Sequence, residues 1–536
     1  MATYTRANAW NNGGTFANTD LLWYAKGVGA MQALALDNSS SWWFFAAIHG
    51  EVVTPLSLKN PRAFPWKNIP PPPPVPTTPL PPQNVSDQYW DQCQHQSWFF
   101  PPWHRGYLLA LEAQIRAHVI QLGGPSTWAL PYWNYFGPQQ EFAIPPAFTQ
   151  QTLPGGSPNP LYVNARYGPD GDKNIWVPTA AGIQQHPNDP NLFGEVTQAC
   201  MSNDLYTGSD SHTKPPGFGG PQTNFWHGGG TSGNLEGNPH NLVHSYVGGG
   251  SPDGKIPGLM SIPSLAALDP IFYLHHANID RMWAIWNGTY ANPTDPKWLD
   301  GPAASGDREF VMPMPDGSAW VYTPRQMNSL SQLNYTYDSL PKLAPAAPVL
   351  AQRLMLLGAT AAAARVEQGG PVTPGDNAEL VGASQGALPI TGSGARTTVR
   401  LDANVRQKVS ASLAAAAETA APDRVYLNLE NVRGTHDSGV LSVYVNLPEG
   451  ANPKDHPELR AGSVGLFGLT NASFEDSKHG GGGLNFVLDI TNIIDKLHLD
   501  NALNVDSLNV TIVPHRAVPD QGEITVGRIS IYRQGR

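Results

Sequence analysis

The chain has 536 residues, of which 54 are glycine, 52 are proline and only 14% are charged. This length predicts two or three domains, and so much glycine and proline predicts many long loops. The net charge of −10 at pH 7 argues against nucleic acid as a partner. No apolar run approaches the roughly 18 residues that a membrane-spanning helix needs, so a membrane partner is not expected either.

The cysteines and the N-terminus bear on where the protein resides. With only two cysteines, Cys93 and Cys200, a disulfide framework cannot be the source of stability. The N-terminal residues Met-Ala-Thr-Tyr-Thr-Arg show neither a signal peptide nor an Arg-rich transit peptide. We therefore expect a cytoplasmic protein or the processed, mature form of a longer chain.

Two helices are predicted near the N-terminus, followed by a long proline-rich loop. The first spans 21–36, with Thr19 or Asp20 as its cap. The second spans 41–49, is dense in tryptophan and phenylalanine, and ends at a histidine. Residues 61–82 contain too much proline for a helix and predict an extended surface loop. This loop is interpreted either as a docking site for a partner or as a border of the entrance to a site.

Two more histidines follow within a short stretch. His95 lies two residues after Cys93, and His104 lies in the sequence Pro-Trp-His-Arg-Gly. Residues 103–122 then predict an amphipathic helix. Residues 131–231 are rich in proline, glycine and asparagine, and a loop region of this length in a compact domain is usually functional. We expect it to form the walls of a binding basin.

A second group of histidines lies on two further predicted helices. His240 and His244 are four residues apart on one helix face, which is the geometry for two imidazoles on one metal ion. A last helix is predicted from Asp269, as its N-cap, to about Trp286. His276 lies on the apolar face of that helix, where an isolated histidine would be a core residue bonded to a carbonyl. Because other histidines precede it in several places, a metal centre is the stronger interpretation.

The C-terminal part of the chain differs in composition and in period. Residues 345–421 are rich in alanine, glycine, proline and serine, and their later half contains short alternating apolar runs. From Arg424 onwards, apolar residues alternate with polar ones in several short segments, which predicts a β-sandwich. We therefore expect a mainly helical domain over 1–344, a linker over 345–375 and an all-β domain over 376–536.

The histidine motifs resemble those of the tyrosinase or polyphenol oxidase family of type 3 dicopper proteins, in its two-domain form. The resemblance covers about residues 6–337. It implies a four-helix bundle that holds a dicopper centre, with long loops around it. It also implies that Arg6 packs near the tyrosine motif at 333–337. The copper ligands that it implies are His49, His95 and His104 for the first ion, CuA, and His240, His244 and His276 for the second, CuB.

The resemblance implies an enzyme that uses dioxygen to hydroxylate monophenols and to oxidise o-diphenols to o-quinones. Phenolic small molecules and dioxygen are then the expected partners, and self-association into a homo-oligomer stays open. Three alternatives remain. They are a catechol oxidase without activity on monophenols, a haemocyanin-like oxygen carrier, and a structural protein with a zinc site at the His240–His244 pair.

Glu236 and Asn241 favour an enzyme that acts on monophenols. A monophenol must lose its proton before it binds copper, and in the family a glutamate and an asparagine at these places hold a water that can serve as the base. An oxygen carrier does not need such a pair. The alternative interpretation is that Glu236 merely caps the helix entered at Pro239.

Further residues receive roles from the same resemblance. Cys93 is expected to form a thioether with His95, or else to be a small buried hydrophobe. Phe272, one turn before His276, is expected to pack over the metal and to orient the substrate ring. His275 is expected to lie on another face of its helix, outside the ligand set.

Three positions are more open. The gate residue of the family falls on Pro263, with Ile262 as its substitute. Asp280 is expected either to accept an imidazole N–H or to have a structural role beside Arg281. Residues 461–469 of the C-terminal domain are expected either to push an apolar plug into the substrate position, with Phe467 as first candidate, or to form an ordinary strand and turn.

Overall fold

The structure is a computed structural model that describes residues 4–187, 192–208, 215–226, 230–343, 353, 378–414, 423–475, 481–500, 506–518 and 523–534. It contains two hydrophobic cores. One is built from residues 9–337 together with Val440 and Phe467, and the other from residues 381–531. The predicted linker at 345–375 lies outside the described residues except for Arg353, so the domain boundaries stay a prediction.

The first core is formed mainly by helices. Helix α4 lies between α1 and α8, and α2 packs on α1. Within the described ranges, no helix is both long enough and apolar enough to cross a bilayer. The helices are α1 (Thr19–Gln32), α2 (Trp42–His49), α3 (Gln83–Tyr89), α4 (Phe100–Gln121), α5 (Ala180–Gln185), α6 (Leu242–Gly248), α7 (Pro263–Ala266), α8 (Ile271–Asn287), α9 (Pro296–Leu299) and α10 (Pro324–Met327).

The helices begin within a few residues of the predicted positions, and their caps explain the differences. Helix α1 is capped by Asn18, whose side chain accepts the N–H of Asp20 at 3.0 Å, so the prediction of Thr19 or Asp20 as cap is wrong. Helix α4 begins earlier than predicted, with prolines in its first turn, where a missing N–H costs nothing. Helix α8 begins at Ile271, whose N–H donates to the Asp269 carboxylate at 3.1 Å.

Four short strands flank these helices: β1 (Tyr4–Arg6), β2 (Phe310–Pro313), β3 (Ala319–Tyr322) and β4 (Tyr335–Tyr337). Strand β1 pairs in parallel with β4, and β2 pairs in antiparallel with β3. The predicted packing of Arg6 on the tyrosine motif is confirmed. Its guanidinium lies 4.1 Å from the centre of the Tyr335 ring and donates to the Tyr337 hydroxyl at 3.1 Å.

Asp280 of α8 has a structural role, although not beside Arg281. Its carboxylate accepts from Arg105 at 2.5 Å, from Arg6 at 3.2 Å and from Tyr335 at 2.6 Å. Burial would raise the pKa of Asp280, but the two guanidiniums hold it below its usual value. Because both oxygens are occupied, Asp280 accepts no imidazole N–H among the described residues, and that alternative is wrong.

The second core is built on one sheet, which has nine strands among the described residues. The strands are β5 (Ala378–Ala383), β6 (Leu388–Ile390), β7 (Ala395–Leu401), β8 (Arg424–Gly434), β9 (Val440–Val445), β10 (Arg460–Gly465), β11 (Leu484–Asp489), β12 (Ser507–Pro514) and β13 (Ile524–Gln534). Along the sheet they run in the order β10-β9-β12-β7-β5-β13-β8-β11, and β6 pairs with β13. The neighbouring strands are antiparallel, and in β12 every second residue is buried, as the period of two predicts.

The sheet curls until its two end strands meet. A Cβ atom built at Gly462 in β10 would lie 3.2 Å from the Leu488 side chain in β11, which gives the domain a barrel-like form. Three helices accompany the sheet: α11 (Ala403–Ala414), α12 (Leu469–Ala472) and α13 (Thr491–Leu499). The prediction of a mainly helical domain followed by a β domain is confirmed, with one curled sheet where a sandwich was expected.

Candidate metal centre

Three segments of the helical domain bring one group of buried ligands together. His49 ends α2, His95 lies with Cys93 in the loop after α3, and His104 lies near the start of α4. One ligand atom from each of these four side chains lies within 4.8 Å of the others. The three histidines predicted for CuA therefore lie side by side.

A second group forms where α6 and α8 face each other. His240 lies in a distorted π-type turn, Glu236–Asn241, that leads into α6, which carries His244. His275 and His276 lie in α8. The Nε2 atom of His276 lies 3.3 Å from that of His240 and 3.4 Å from that of His244. The three histidines predicted for CuB therefore converge through the same kind of atom.

His275 also belongs to this second group by distance, which the sequence did not predict. Its ring stacks on the His240 ring with centres 5.3 Å apart, and neither of its ring nitrogens has a partner among the described residues. Of the two neighbours, His276 has its Nε2 where the other imidazoles meet. The geometry thus favours His276 as the ligand, with His275 packed behind the group.

The two groups adjoin each other. The rings of His104 and His276 stack with their centres 4.3 Å apart, and those of His95 and His240 are 5.8 Å apart. Metal ions held by the two groups would therefore face each other across a short gap.

The hydrogen bonds of the imidazoles test whether metal ions fit. The Nδ1 atoms of His49, His104 and His244 each bond to a backbone carbonyl, at 2.7–2.8 Å. Because a carbonyl oxygen only accepts, Nδ1 carries the proton, as in most histidines that ligate metals. In the CuB group three Nε2 atoms then meet. If Nε2 of His276 carried a proton, it could donate to the Nε2 atom of only one of the other two histidines. A metal ion, by contrast, accepts the lone pairs of all three Nε2 atoms.

The imidazoles are also in the protonation state that a metal requires. Burial lowers the pKa of His104 to about 3 and the pKa values of His240, His244 and His276 well below the usual value. These side chains are therefore neutral at pH 7, as metal ligands must be. Imidazole suits copper, and three from each group fit two copper ions. When bound, the copper pair supplies electron transfer between a phenol and dioxygen.

Cys93 lies against His95, as the thioether prediction requires. Its Sγ atom is 3.6 Å from Nδ1 and 3.5 Å from Nε2 of that ring, and 3.4 Å from Nε2 of His104. Nearly equal distances to the two nitrogens of His95 put the sulfur about midway between them, which is compatible with a bond to Cε1, the carbon that joins them. The side chain is also fully buried. The thioether itself stays a prediction.

The carboxylate of Glu236 is buried beside the CuA loop. Its two oxygens accept the backbone N–H of Gln96 at 3.0 and 2.9 Å. Burial raises the pKa of Glu236 to about 8, although hydrogen bonds from Gln96, Gly233 and Ser232 act in the opposite direction. The side chain does not cap the turn in which it lies, so the alternative of a helix cap is wrong.

Asn241 ends the same turn as Glu236 but makes no direct hydrogen bond to it among the described residues. Its Oδ1 atom accepts from Nδ1 of His240 at 2.8 Å, and its Nδ2 atom donates to the Ser232 hydroxyl at 3.3 Å. Sequence reasoning missed both Gln96 and Ser232. No local pattern marks them, because their partners become visible only in the folded chain.

Apolar residues border the CuB group. The Phe272 ring lies 4.2 Å from the His276 ring and 4.8 Å from the His49 ring, between centres, so it packs on ligands of both groups. Pro263 is buried at the start of α7, and its carbonyl accepts from Nδ1 of His49 at 2.8 Å. Ile262 beside it is half-buried. At the predicted gate, the proline therefore also orients a predicted copper ligand.

The C-terminal domain reaches the CuB group through Phe467. Its ring stacks on the His244 ring at 4.1 Å between centres and lies 5.5 Å from His95 and 5.8 Å from His240. Phe467 belongs to the core of the helical domain, whereas its neighbour Leu466 belongs to the core of the β domain. An aromatic ring from the second domain thus covers the histidines of the first.

Comparisons with known proteins agree with this geometry. Residues 39–289 match the family model described as the common central domain of tyrosinase, and residues 377–534 match a domain family of unknown function. The chain is similar to the tyrosinase HcTyr1 of Hahella sp. (strain CCB-MM4), with 30% identity over 521 residues that cover 96% of this chain and 97% of that protein.

Two further relatives are plant proteins. The latent form of a chloroplastic polyphenol oxidase of Prunus armeniaca is 32% identical over 265 residues, which cover 46% of this chain and 39% of that protein. The solved structure of latent apple tyrosinase matches with a TM-score of 0.55 and 20% identity, covering 100% of this chain and 98% of that one, which shows a shared fold. The similarity to HcTyr1 over nearly the whole length, together with the central-domain match, shows that the chain belongs to the tyrosinase family, as a copper-dependent phenol oxidase.

Proposed function

We propose that the protein hydroxylates monophenols as well as oxidising o-diphenols to o-quinones, and that the full chain is latent because Phe467 occupies the position of the substrate ring. Oxidation of phenols with dioxygen is the activity of the family. The step on monophenols needs a base near CuB, and latency needs an obstacle there.

The buried carboxylate of Glu236 carries the proposal for monophenols. A phenol has a pKa of about 10, so an ordinary carboxylate is a weak base for it. Burial raises the pKa of Glu236 to about 8. The difference in pKa between the phenol and the carboxylate is therefore smaller. A base tuned in this way is efficient near neutral or mildly alkaline pH. An oxygen carrier has no use for it.

The position of the Phe467 ring supports latency. A Cβ atom built at Gly465 in β10 would lie 3.1 Å from the Asn241 carbonyl oxygen and 3.2 Å from Oγ of Ser245. Strand β10 therefore lies so close to the segment 241–245 that a side chain at Gly465 would be crowded. The Phe467 ring, two residues further along the chain, fills the space over His244. A phenolic ring would have to lie in the same space.

A buried carboxylate helps to hold the β domain in this place. Glu195 of the helical domain accepts from Ser442 at 3.3 Å and from Ser463 at 3.4 Å, and it lies 3.6 Å from the Arg460 guanidinium. Tyr246, close to the CuB ligands, donates to the same carboxylate. These polar contacts join the two domains at one buried carboxylate and support the position of the plug.

Oxygen uptake tests the proposal. The copper-loaded full chain is expected to act slowly on a simple monophenol, and Phe467→Ala is expected to increase the rate about tenfold or more. The reason is that the variant removes the burial of one aromatic side chain, worth about 1.5–3 kcal/mol, from the closed state. Uptake with catechol is measured in parallel.

Leu466→Ala is the matched control, because it removes a neighbouring buried side chain that belongs to the core of the β domain. Equal activation by both variants would show that a loosened β domain, not an emptied site, releases activity, and the plug would be discarded. If every variant oxidises catechol but none consumes oxygen with a monophenol, the protein is a catechol oxidase.

A further inference from the structure

Asn241 is the residue expected to share a water molecule with Glu236, but the structure gives its amide other partners. One end accepts from His240 at 2.8 Å and the other donates to Ser232 at 3.3 Å. These two bonds orient an imidazole of the CuB group. Asn241 therefore orients a metal ligand and reaches Glu236 only through the Ser232 hydroxyl, which also bonds to the carboxylate.

Gln96 bonds to the Glu236 carboxylate directly. Its backbone N–H donates to both oxygens of Glu236, at 3.0 and 2.9 Å, and its side-chain Nε2 lies 3.4 Å from one of them. The amide is oriented with Nε2 towards Glu236, because the opposite orientation would place its oxygen, an acceptor, against a carboxylate oxygen, which is also an acceptor. The remaining atom, Oε1, is buried and has no partner among the described residues.

The backbone of Gln96 also indicates a dedicated position. Its φ is +50°, in the left-handed region that residues other than glycine and asparagine rarely adopt. Residues held in such a conformation cluster at functional sites, where the surrounding structure imposes it. Here the bend, directly after His95, turns the N–H towards a carboxylate that is 140 residues away.

We infer that Gln96 is the positioning residue for proton removal from monophenols: its amide, rather than that of Asn241, holds a water molecule against Glu236. This inference rests on the proposed activity on monophenols. A buried water needs two or more polar partners. The Glu236 carboxylate and Oε1 of Gln96, which has no partner in the part of the chain that the structure describes, are both acceptors, and Nε2 of the same amide lies 3.4 Å from the carboxylate. A water that donates one hydrogen to each acceptor keeps its lone pairs free to accept a proton.

The proton balance follows from this arrangement. The lone pair of the water takes the proton of the phenol hydroxyl, and the hydrogen that the water donated to Glu236 passes to the carboxylate. The products are a phenolate, an intact water and a neutral carboxyl group. Gln96 exchanges no proton and acts only by holding the water in place.

Three substitutions in the full chain, made together with Phe467→Ala so that the site is open, test the role of the amide. Gln96→Met removes the amide and keeps the length of the side chain. Gln96→Gly also removes it but keeps the backbone N–H and suits the positive φ. Gln96→Asn keeps an amide and tolerates the same backbone conformation.

The kcat/KM for a monophenol is expected to fall at least tenfold in Gln96→Met and Gln96→Gly, while kcat/KM for catechol changes less than about threefold. Gln96→Asn is expected to recover part of the loss. Equal losses for both substrates would reduce Gln96 to a structural residue. If Gln96→Gly keeps the rates of Phe467→Ala alone, the whole effect belongs to the backbone N–H and the inference is overturned.

A crystal structure of the copper-free protein gives a second readout that does not depend on activity. We expect an ordered water within hydrogen-bond distance of both Glu236 and Oε1 of Gln96, and its loss in Gln96→Met. A site without this water, or a water bonded to Asn241 instead, would contradict the inference. If the protein with Phe467→Ala oxidises only catechol, the proposed function fails, and the crystal structure still decides whether Gln96 holds the water.

Discussion

The two histidine groups have different surroundings. The CuA group is enclosed by fixed neighbours: the Cys93 sulfur lies against His95, and His104 bonds within its own helix. The CuB group is bordered by the Phe467 ring, which belongs to the other domain. The Glu236 carboxylate lies between the two groups, in the turn that carries His240 and bonded to Gln96 of the CuA loop. The difference predicts a rigid setting for CuA and control of access at CuB.

The largest effect on activity is expected from removal of a CuB ligand. In His240→Ala we expect loss of one of the two copper ions and of all measurable oxygen uptake, because three Nε2 atoms converge there and the variant removes one of them. Copper analysis and oxygen uptake check this outcome. His118→Ala on α4, at a histidine outside both groups, is the control. A variant at His240 that kept both copper and turnover would refute the ligand assignment.

Glu236→Gln separates proton removal from metal binding, because it replaces the expected base without removing a copper ligand. We expect kcat/KM for a monophenol to fall about 100-fold, the usual contribution of a positioned base, and kcat/KM for catechol to fall much less. Similar losses with the two substrates would contradict the assignment of this residue as the base.

The pH dependence gives the same test in the protein with Phe467→Ala alone. Burial raises the pKa of Glu236 to about 8, and the base acts only as the carboxylate. The monophenol rate is therefore expected to rise as pH increases towards 8 and to level off above it. This rise is expected to disappear when Glu236→Gln is added, and its survival would point to a different base.

Cys93→Ser has the smallest expected effect, because it concerns the enclosed group. The wild type is expected to lack two hydrogen atoms relative to its calculated mass, as a thioether to His95 requires, while the variant matches its calculated mass. We expect copper to be retained and oxygen uptake to fall only a few-fold, since the imidazole is still bound but less firmly oriented. An unmodified wild-type mass in active enzyme would rule out the thioether.

Local patterns predicted only part of the metal centre. His240 and His244 lie one turn apart, which indicates a pair of metal ligands, whereas the full set of six histidines on separate elements came from the resemblance to the tyrosinase family. His275 was expected to face away because adjacent residues in a helix point in different directions. It lies in the group nevertheless, with its ring stacked on that of His240.

Contacts between distant segments could not be predicted in the same way. The bond between Gln96 and Glu236 joins two loops whose approach depends on the packing of the whole helical domain. The position of Phe467 on His244 depends on how the two domains dock. Likewise, alternation predicts the strands of the β domain but not their order, in which strands far apart in sequence are neighbours.

The parallel pair of β1 and β4 determines what a cut in the predicted linker leaves behind. It joins the beginning of the helical domain to residues 335–337, before that linker starts, so the domain stays closed after the cut. The β domain would then be held only by its contacts, without the high effective concentration that a covalent tether provides. We expect a cut enzyme to be active when dilute and to return to latency when concentrated, which makes its activity depend on the amount of protein present.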